Sequence, residues 1–151
     1  MKLEKLDPPI DLDHDHILGP RDAELTLVEY GSYACPHCHA VHDVIAGLRN
    51  RFGERMRYVF RHLPVADSED ALRAAALAEY AAETTGRFWE VHAALMERGP
   101  AFSEGDFEQI AREFNLPSGA PHAAALEVAQ ERVREDAESA RRSGARVTPT
   151  F

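Results

Sequence analysis

Apolar and polar positions along this chain follow two periods. Leu25-Thr-Leu-Val-Glu-Tyr30 is an apolar stretch rich enough for a buried strand, and residues 25–31 are expected to form the first core strand. Met56-Arg-Tyr-Val-Phe-Arg61 alternates and predicts a second strand, ended by His62-Leu-Pro64. Between them Ala40, Val41, Val44, Ile45, Leu48 and Phe52 recur at helical spacing. The helix is expected over 36–52, with Pro36 tolerated in its first turn and Gly53 at its end. Strand, helix and strand in so short a span make a βαβ unit with parallel strands and a right-handed crossover.

The stretch that follows, from about 66 to 144, contains no good strand and reads as a helical insertion. Ser68 is placed as the N-cap of a helix from Glu69 to Thr84, in which Leu72, Ala75, Ala76 and Tyr80 share a face, and Gly86 breaks the pattern. Phe88, Val91 and Leu95, with Trp89 and Met96 beside them, predict a second helix. Ser103-Glu-Gly-Asp106 opens a third, carrying Phe107, Ile110, Ala111 and Phe114. Pro117-Ser-Gly-Ala-Pro121 reads as a loop, and a charged fourth helix runs over about 122–143 to Gly144. Residues 1–23 form a polar arm with a short extended piece around His16-Ile-Leu18. Residues 24–151 form the domain proper.

Composition narrows the function classes. The chain has 151 residues, enough for one domain with a real core. Its net charge of −9 argues against nucleic acid or an anionic membrane surface as partner. No apolar run approaches the ~20 residues of a membrane span. The N-terminal Met1-Lys-Leu-Glu-Lys-Leu-Asp7 has no signal-peptide apolar region, so the expected location is cytoplasmic as it stands. The bacterial periplasm or the extracellular space is the alternative if a leader has been removed.

The chemistry concentrates at Cys35-Pro36-His37-Cys38, which contains both cysteines of the chain. A C-x-x-C pair at a strand-to-helix junction reads as a redox dithiol. The first cysteine lands at a helix N-terminus, where unpaired N–H groups and the macrodipole favour a thiolate. The second lies in the first turn, close enough to close a disulfide. Glu29 sits in an apolar strand, where a carboxylate is costly unless partnered or protonated, so a functional role is favoured over packing.

With these features in hand, the chain resembles the DsbA-like branch of the thioredoxin superfamily. It is similar to domains of that branch that stand alone or are fused to NhaA-type antiporters. The resemblance rests on Asp15-His-Ile-Leu-Gly-Pro20, Val28-Glu-Tyr-Gly-Ser-Tyr-Ala-Cys-Pro-His-Cys38, Tyr58-Val-Phe-Arg-His-Leu-Pro64 and Val147-Thr-Pro-Thr-Phe151. It implies an α/β thioredoxin-like fold with a helical insertion between the βαβ unit and the cis-proline strand. It also implies a thiol–disulfide oxidoreductase that oxidises substrate dithiols, with no cofactor beyond a Cys35–Cys38 disulfide. Cys35 would be the exposed nucleophile and Cys38 the buried resolving thiol. His37 would stabilise the Cys35 thiolate, and Glu29 would move protons for Cys38. Pro36, Thr148 and the cis residue Pro149 would line the substrate-binding edge, the backbone of Thr148 pairing with the substrate chain. Its partners would be dithiol or disulfide substrate proteins and a thiol redox partner.

Two rival chemistries share these residues. Cys35-Pro-His-Cys38-His39 also matches the C-x-x-C-H haem-attachment pattern. Zinc would use Cys35, Cys38 and His39 or His42, with His14 and His16 as extras, although the two cysteines and an adjacent histidine cannot all point inward from one helical turn without distortion. A third class is a non-catalytic redox-sensing or adaptor domain of a larger protein. On the bland reading His39 and His42 face solvent, His62 is a strand-end hydrogen-bonding residue and His92 packs at a helix edge. Members of the resembled family continue past the cis-proline strand into a hairpin strand and a final helix. The native polypeptide is therefore expected to continue beyond Phe151, and self-association through the incomplete sheet edge is expected if it does not.

Overall fold

The computed structural model describes residues 5–119 and 123–151. In chain order the elements are β1 (His16–Leu18), β2 (Leu25–Gly31), α1 (Pro36–Phe52), β3 (Met56–His62), α2 (Glu69–Thr85), α3 (Phe88–Arg98), α4 (Asp106–Glu113) and α5 (Ala123–Arg142). Among the described residues the strands form one sheet in the order β1-β3-β2. β2 and β3 run parallel, with Leu25 opposite Met56 and Gly31 opposite His62, while β1 is antiparallel to β3. This is the thioredoxin-like α/β fold with a helical insertion. Position 122 of the expected fourth helix, positions 120 and 121 of the expected loop, and the first residues of the arm lie outside the described residues.

The alternation along the strands sorts the two faces of the sheet. Tyr58 and Phe60 of β3 enter the main core with Tyr33, Cys38, Ile45, Phe88, Val91 and Leu95. On the opposite face Tyr30 packs with Ala140 and Ala145. There the Tyr30 hydroxyl meets Ser139 Oγ at 2.5 Å. Arg61 crosses the same face and ties down the arm: Nε donates to Asp15 Oδ1 at 2.8 Å and Nη1 to the Pro8 carbonyl at 2.9 Å. The arm is thus held by a buried ion pair rather than by apolar packing alone.

Helix starts obey local rules. Ser68 Oγ accepts the Ala71 N–H at 3.1 Å and caps α2. The third insertion helix begins at Asp106 rather than Ser103, because the Ser103 N–H and hydroxyl both donate to the Asp106 carboxylate, at 2.5 and 2.7 Å.

Three apolar positions correct the sequence reading. On α1 the buried residues are Cys38 and Ile45, whereas Ala40 is exposed and Val44 is 58 % exposed. The helix presents a narrow arc to β3 and α3, and Val44 lies outside it. On α2 the buried face is Ala71, Ala74, Ala75, Ala78 and Ala81, and Leu72 is 54 % exposed beside Tyr80, Phe107 and Val133. Small side chains let α2 sit close to both α3 and α5, which turns the larger Leu72 outward.

Candidate functional site

The strand β2 delivers the chain to a tight turn, and α1 begins at once with Pro36 as its first residue and Cys35 as its N-cap. Cys35 has extended backbone angles, φ −97° and ψ 118°, and no side-chain cap. Its sulfur therefore sits at the mouth of the first helical turn, where N–H groups lack intrahelical acceptors. Both cysteines are free thiols here. Pro36 and His37 are exposed.

Cys35 is not the exposed group the sequence reading expected. It is 6 % exposed, against 1 % for Cys38, because its Sγ lies 3.4 Å from the carbonyl oxygen of Thr148. The Val147–Phe151 segment returns alongside β2 at this point. Tyr30 N–H donates to the Thr150 carbonyl at 2.9 Å, and Thr150 N–H returns to Tyr30 at 3.1 Å, an antiparallel bridge. The Thr148–Pro149 peptide bond beside Cys35 is cis.

The two thiols differ in electrostatics. Burial pushes Cys35 up, but hydrogen bonds from the Thr148 side chain, from the Cys38 N–H and thiol and from the His37 N–H outweigh it, and the net displacement is downward. Cys38 goes the other way. Burial, with smaller contributions from the Glu29 and Cys35 charges, pushes it up to about 12, although the Ser32 N–H approaches its sulfur at 3.4 Å. The pair is thus divided into a thiol prone to ionise and one that holds its proton.

Glu29 lies on the same face of β2 as Leu27 and Gly31 and is 1 % exposed. Its Oε2 accepts a hydrogen bond from the Tyr58 hydroxyl, and its Oε1 has no partner among the described residues. Burial pushes its acid up to about 7, with the Tyr58 hydrogen bond pulling the other way. The site therefore brings Cys35, Cys38, Thr148 and Pro149 together at the helix mouth and places Glu29 beneath them in the sheet.

His62 is the strand-end hydrogen-bonding residue expected from sequence, whereas His39 does not face solvent and His92 lies deeper than a helix edge. His39 is half-buried: Nδ1 lies 2.8 Å from the Met96 carbonyl and Nε2 lies 2.5 Å from the Tyr33 carbonyl. His92 is buried, and its Nδ1 shares a 2.8 Å hydrogen bond with the Tyr33 hydroxyl. His62 and His16 both donate to Glu79 Oε1, at 2.8 and 2.7 Å, in a buried cluster remote from the cysteines in sequence. The two donors hold Glu79 below the carboxylate range although its burial acts in the opposite sense. Among the described residues, His62, Glu79 and Asp136 form a group with metal-ligand spacing, none of them in the zinc set considered from sequence.

Sequence reasoning missed Tyr58, Ser32 and His39 as parts of the site. The part Tyr58 plays follows from strand register, which the sequence alone does not give. With Leu27 opposite Tyr58 and Glu29 opposite Phe60, Glu29 and Tyr58 are diagonal neighbours on one sheet face. Ser32 acts through its own N–H and His39 through its ring on the Met96 and Tyr33 carbonyls, contacts that only the folded chain makes.

Comparison with known proteins agrees with this geometry. The thioredoxin family model matches residues 11–151, and the chain belongs to that family. It is 49 % identical over 148 residues to a Na(+)/H(+) antiporter NhaA of Nitrosospira multiformis, covering 97 % of this chain and 24 % of that protein. It is 40 % identical over 157 residues to NhaA of Herminiimonas arsenicoxydans, covering 97 % and 23 %. The chain thus spans about a quarter of the length of these curated relatives. Among solved structures it is similar to the thiol-disulfide exchange protein alpha-DsbA2 of Wolbachia pipientis, with a TM-score of 0.77, 20 % identity, and 92 % and 75 % of the two chains covered. BdbD of Bacillus subtilis gives a TM-score of 0.73 at 21 % identity, covering 93 % and 81 %. The chain is a thioredoxin-family domain with a fold similar to that of alpha-DsbA2 and BdbD. Among the described residues no helix is long and apolar enough to cross a membrane.

Proposed function

We propose that this chain is a thiol–disulfide oxidoreductase that oxidises dithiols in substrate proteins through a Cys35–Cys38 disulfide, as a domain of a longer polypeptide. The observation that carries the reading is the division of the two thiols: Cys35 is lowered at the helix mouth and Cys38 is raised to about 12 by burial. Stabilising one thiolate favours the reduced pair over the disulfide, which makes the disulfide an oxidant.

A substrate thiolate attacks Cys35 Sγ. The Cys35–Cys38 bond breaks, its electron pair leaves on Cys38 Sγ, and that sulfur takes a proton from Glu29. A second substrate thiolate attacks the substrate sulfur of the mixed disulfide, and Cys35 departs as the thiolate. The substrate is oxidised by two electrons and the enzyme is reduced. A partner disulfide of lower stability restores the resting pair. In this scheme His37 stabilises the Cys35 thiolate from the exposed side. Pro36 and Pro149 border the approach, and the Thr148 backbone, now against Cys35, pairs with the substrate chain. A non-catalytic redox-sensing domain is the second reading, favoured by relatives that are named Na(+)/H(+) antiporters.

The deciding measurement is the equilibrium potential of the Cys35–Cys38 pair against glutathione, followed by turnover of a dithiol substrate. A potential well above about −270 mV with multiple turnovers is expected. A value at or below about −270 mV overturns the oxidase direction. An oxidising pair without turnover favours the sensor.

A further inference from the structure

One buried hydroxyl in the site has no part in the scheme above. The Tyr58 side chain reaches diagonally across from β3, and its O–H donates to Glu29 Oε2. We propose that Tyr58 is a positioning residue, pinning Oε2 so that Oε1 is the oxygen that exchanges a proton with Cys38. This rests on the assignment of Glu29 made under the proposed function.

Three observations carry it. The first is the asymmetry of the carboxyl group. Oε2 is held by Tyr58, while Oε1 is fully buried with no hydrogen-bond partner among the described residues. The second is direction. A Cβ built on Gly31 would lie 2.9 Å from Oε1, and the N–H of the next residue, Ser32, points at Cys38 Sγ at 3.4 Å. The free oxygen thus lies toward the turn that carries the buried thiol, and the missing side chain of Gly31 leaves it room. The third is that Tyr58 keeps its proton and, among the described residues, Glu29 Oε2 is the acceptor its O–H is given. It is buried, its ring packs 5.6 Å from Trp89, and burial together with the Glu29 charge drives its own ionisation upward.

These facts fix the tautomer. When Glu29 is protonated, a proton on Oε2 would leave the buried Tyr58 O–H without its acceptor, so the proton is placed on Oε1. When Glu29 is ionised, the same O–H still donates to Oε2. Tyr58 therefore holds the carboxyl in one orientation through both halves of the cycle. On reduction of the disulfide the bond pair leaves on Cys38 Sγ, the Oε1 proton moves to that sulfur, and Glu29 remains as carboxylate bonded to Tyr58. On reoxidation the proton returns to Oε1 as the Cys38 sulfur reforms the bond to Cys35.

The test compares Tyr58→Phe, Glu29→Gln and the double variant in single-turnover reduction of the oxidised chain by dithiothreitol between pH 5 and pH 9. Phenylalanine keeps the ring in the core. Removing the donor withdraws stabilisation from the carboxylate, so in Tyr58→Phe the inflection due to Glu29 should move up from about 7 by about one unit. Glu29→Gln should lack that inflection, and the double variant should match Glu29→Gln. Cys35 alkylation should keep its pH profile in all three. Infrared titration of the buried carboxyl in reduced Tyr58→Phe gives the same shift without turnover. An unmoved inflection and carboxyl titration in Tyr58→Phe, with the inflection abolished in Glu29→Gln, overturns the role of Tyr58 alone. An inflection that survives in Glu29→Gln overturns the Glu29 assignment and this inference with it.

Discussion

Replacing Glu29 by glutamine should raise the stability of the reduced protein relative to the native chain as the solution is taken from acid to alkaline, by an amount the burial of Glu29 sets. In the fold the Glu29 acid is raised from 4.5 to about 7, chiefly by burial. A raised carboxylic acid binds its proton more tightly when folded. Its contribution to stability is fully present below pH 4.5, is lost as the pH climbs toward 7, and stays lost above. The gap of about 2.5 units, at about 1.36 kcal/mol each, makes the loss roughly 3 kcal/mol. Glutamine can accept from Tyr58 through its carbonyl but cannot ionise, so its own offset is independent of pH. Urea unfolding of both proteins under reducing conditions, at steps from pH 4 to pH 9, gives the difference curve. It should rise by about 3 kcal/mol between pH 4.5 and 7 and then level. Groups common to both proteins cancel in the difference. Parallel curves across that window would show that Glu29 ionises freely in the folded chain, and the proton-carrier assignment would fall with it.

Three further outcomes follow from the same geometry. With iodoacetamide near neutral pH the reduced chain should label at Cys35 and not at Cys38; Cys35→Ser should abolish dithiol exchange and Cys38→Ser should trap mixed disulfides, whereas activity in Cys35→Ser would show another nucleophile. Glu79→Ala leaves His16 and His62 without their shared acceptor and should cost about 3–5 kcal/mol by urea unfolding; a loss under about 1 kcal/mol would mean the cluster contributes little. Gly99→Ala would place a Cβ 2.6 Å from the His39 ring and 2.8 Å from the Tyr33 carbonyl, and should cost about 1–3 kcal/mol in thermal unfolding while displacing the loop before Cys35; an unchanged melting temperature would refute the tight packing of His39.

The parts of this molecule that read directly from sequence are those fixed by local spacing. β2, α1 and β3 follow from periods of two and of three to four residues, and the cysteine pair falls at the junction those periods define. Ser68 announced its helix because a capping hydroxyl acts within one turn. What escaped depends on register and on helix rotation. Glu29 was recognisable as an awkward carboxylate, but its tie to Tyr58 requires knowing that Leu27, not Glu29, stands opposite Tyr58. His39 looked like a surface helix residue, because nothing local shows that the end of α3 brings the Met96 carbonyl to it. Leu72 and Val44 are core residues by character, and an alanine face and a narrow helix contact displace them from the core.

The proposed chemistry depends on one geometric choice, the placement of the two cysteines on either side of a helix N-terminus. A residue at the cap projects its sulfur toward unpaired N–H groups, and burial there is compensated by hydrogen bonds. A residue one turn in points back onto the sheet, where burial acts against ionisation and a buried carboxyl adds repulsion once it is charged. When the reduced pair ionises, the charge therefore falls on Cys35 and Cys38 keeps its proton. Disulfide formation surrenders that stabilised thiolate, so each tenfold gain in thiolate stability makes the disulfide about 30 mV more oxidising. Under this reading Glu29, raised to about 7, is poised to lend its proton when Cys38 is released and to take it back when the bond reforms. The asymmetry of the thiols and the pinned carboxyl are thus two consequences of one fold, in which the strand that precedes the cysteines also carries the acid that serves the second of them.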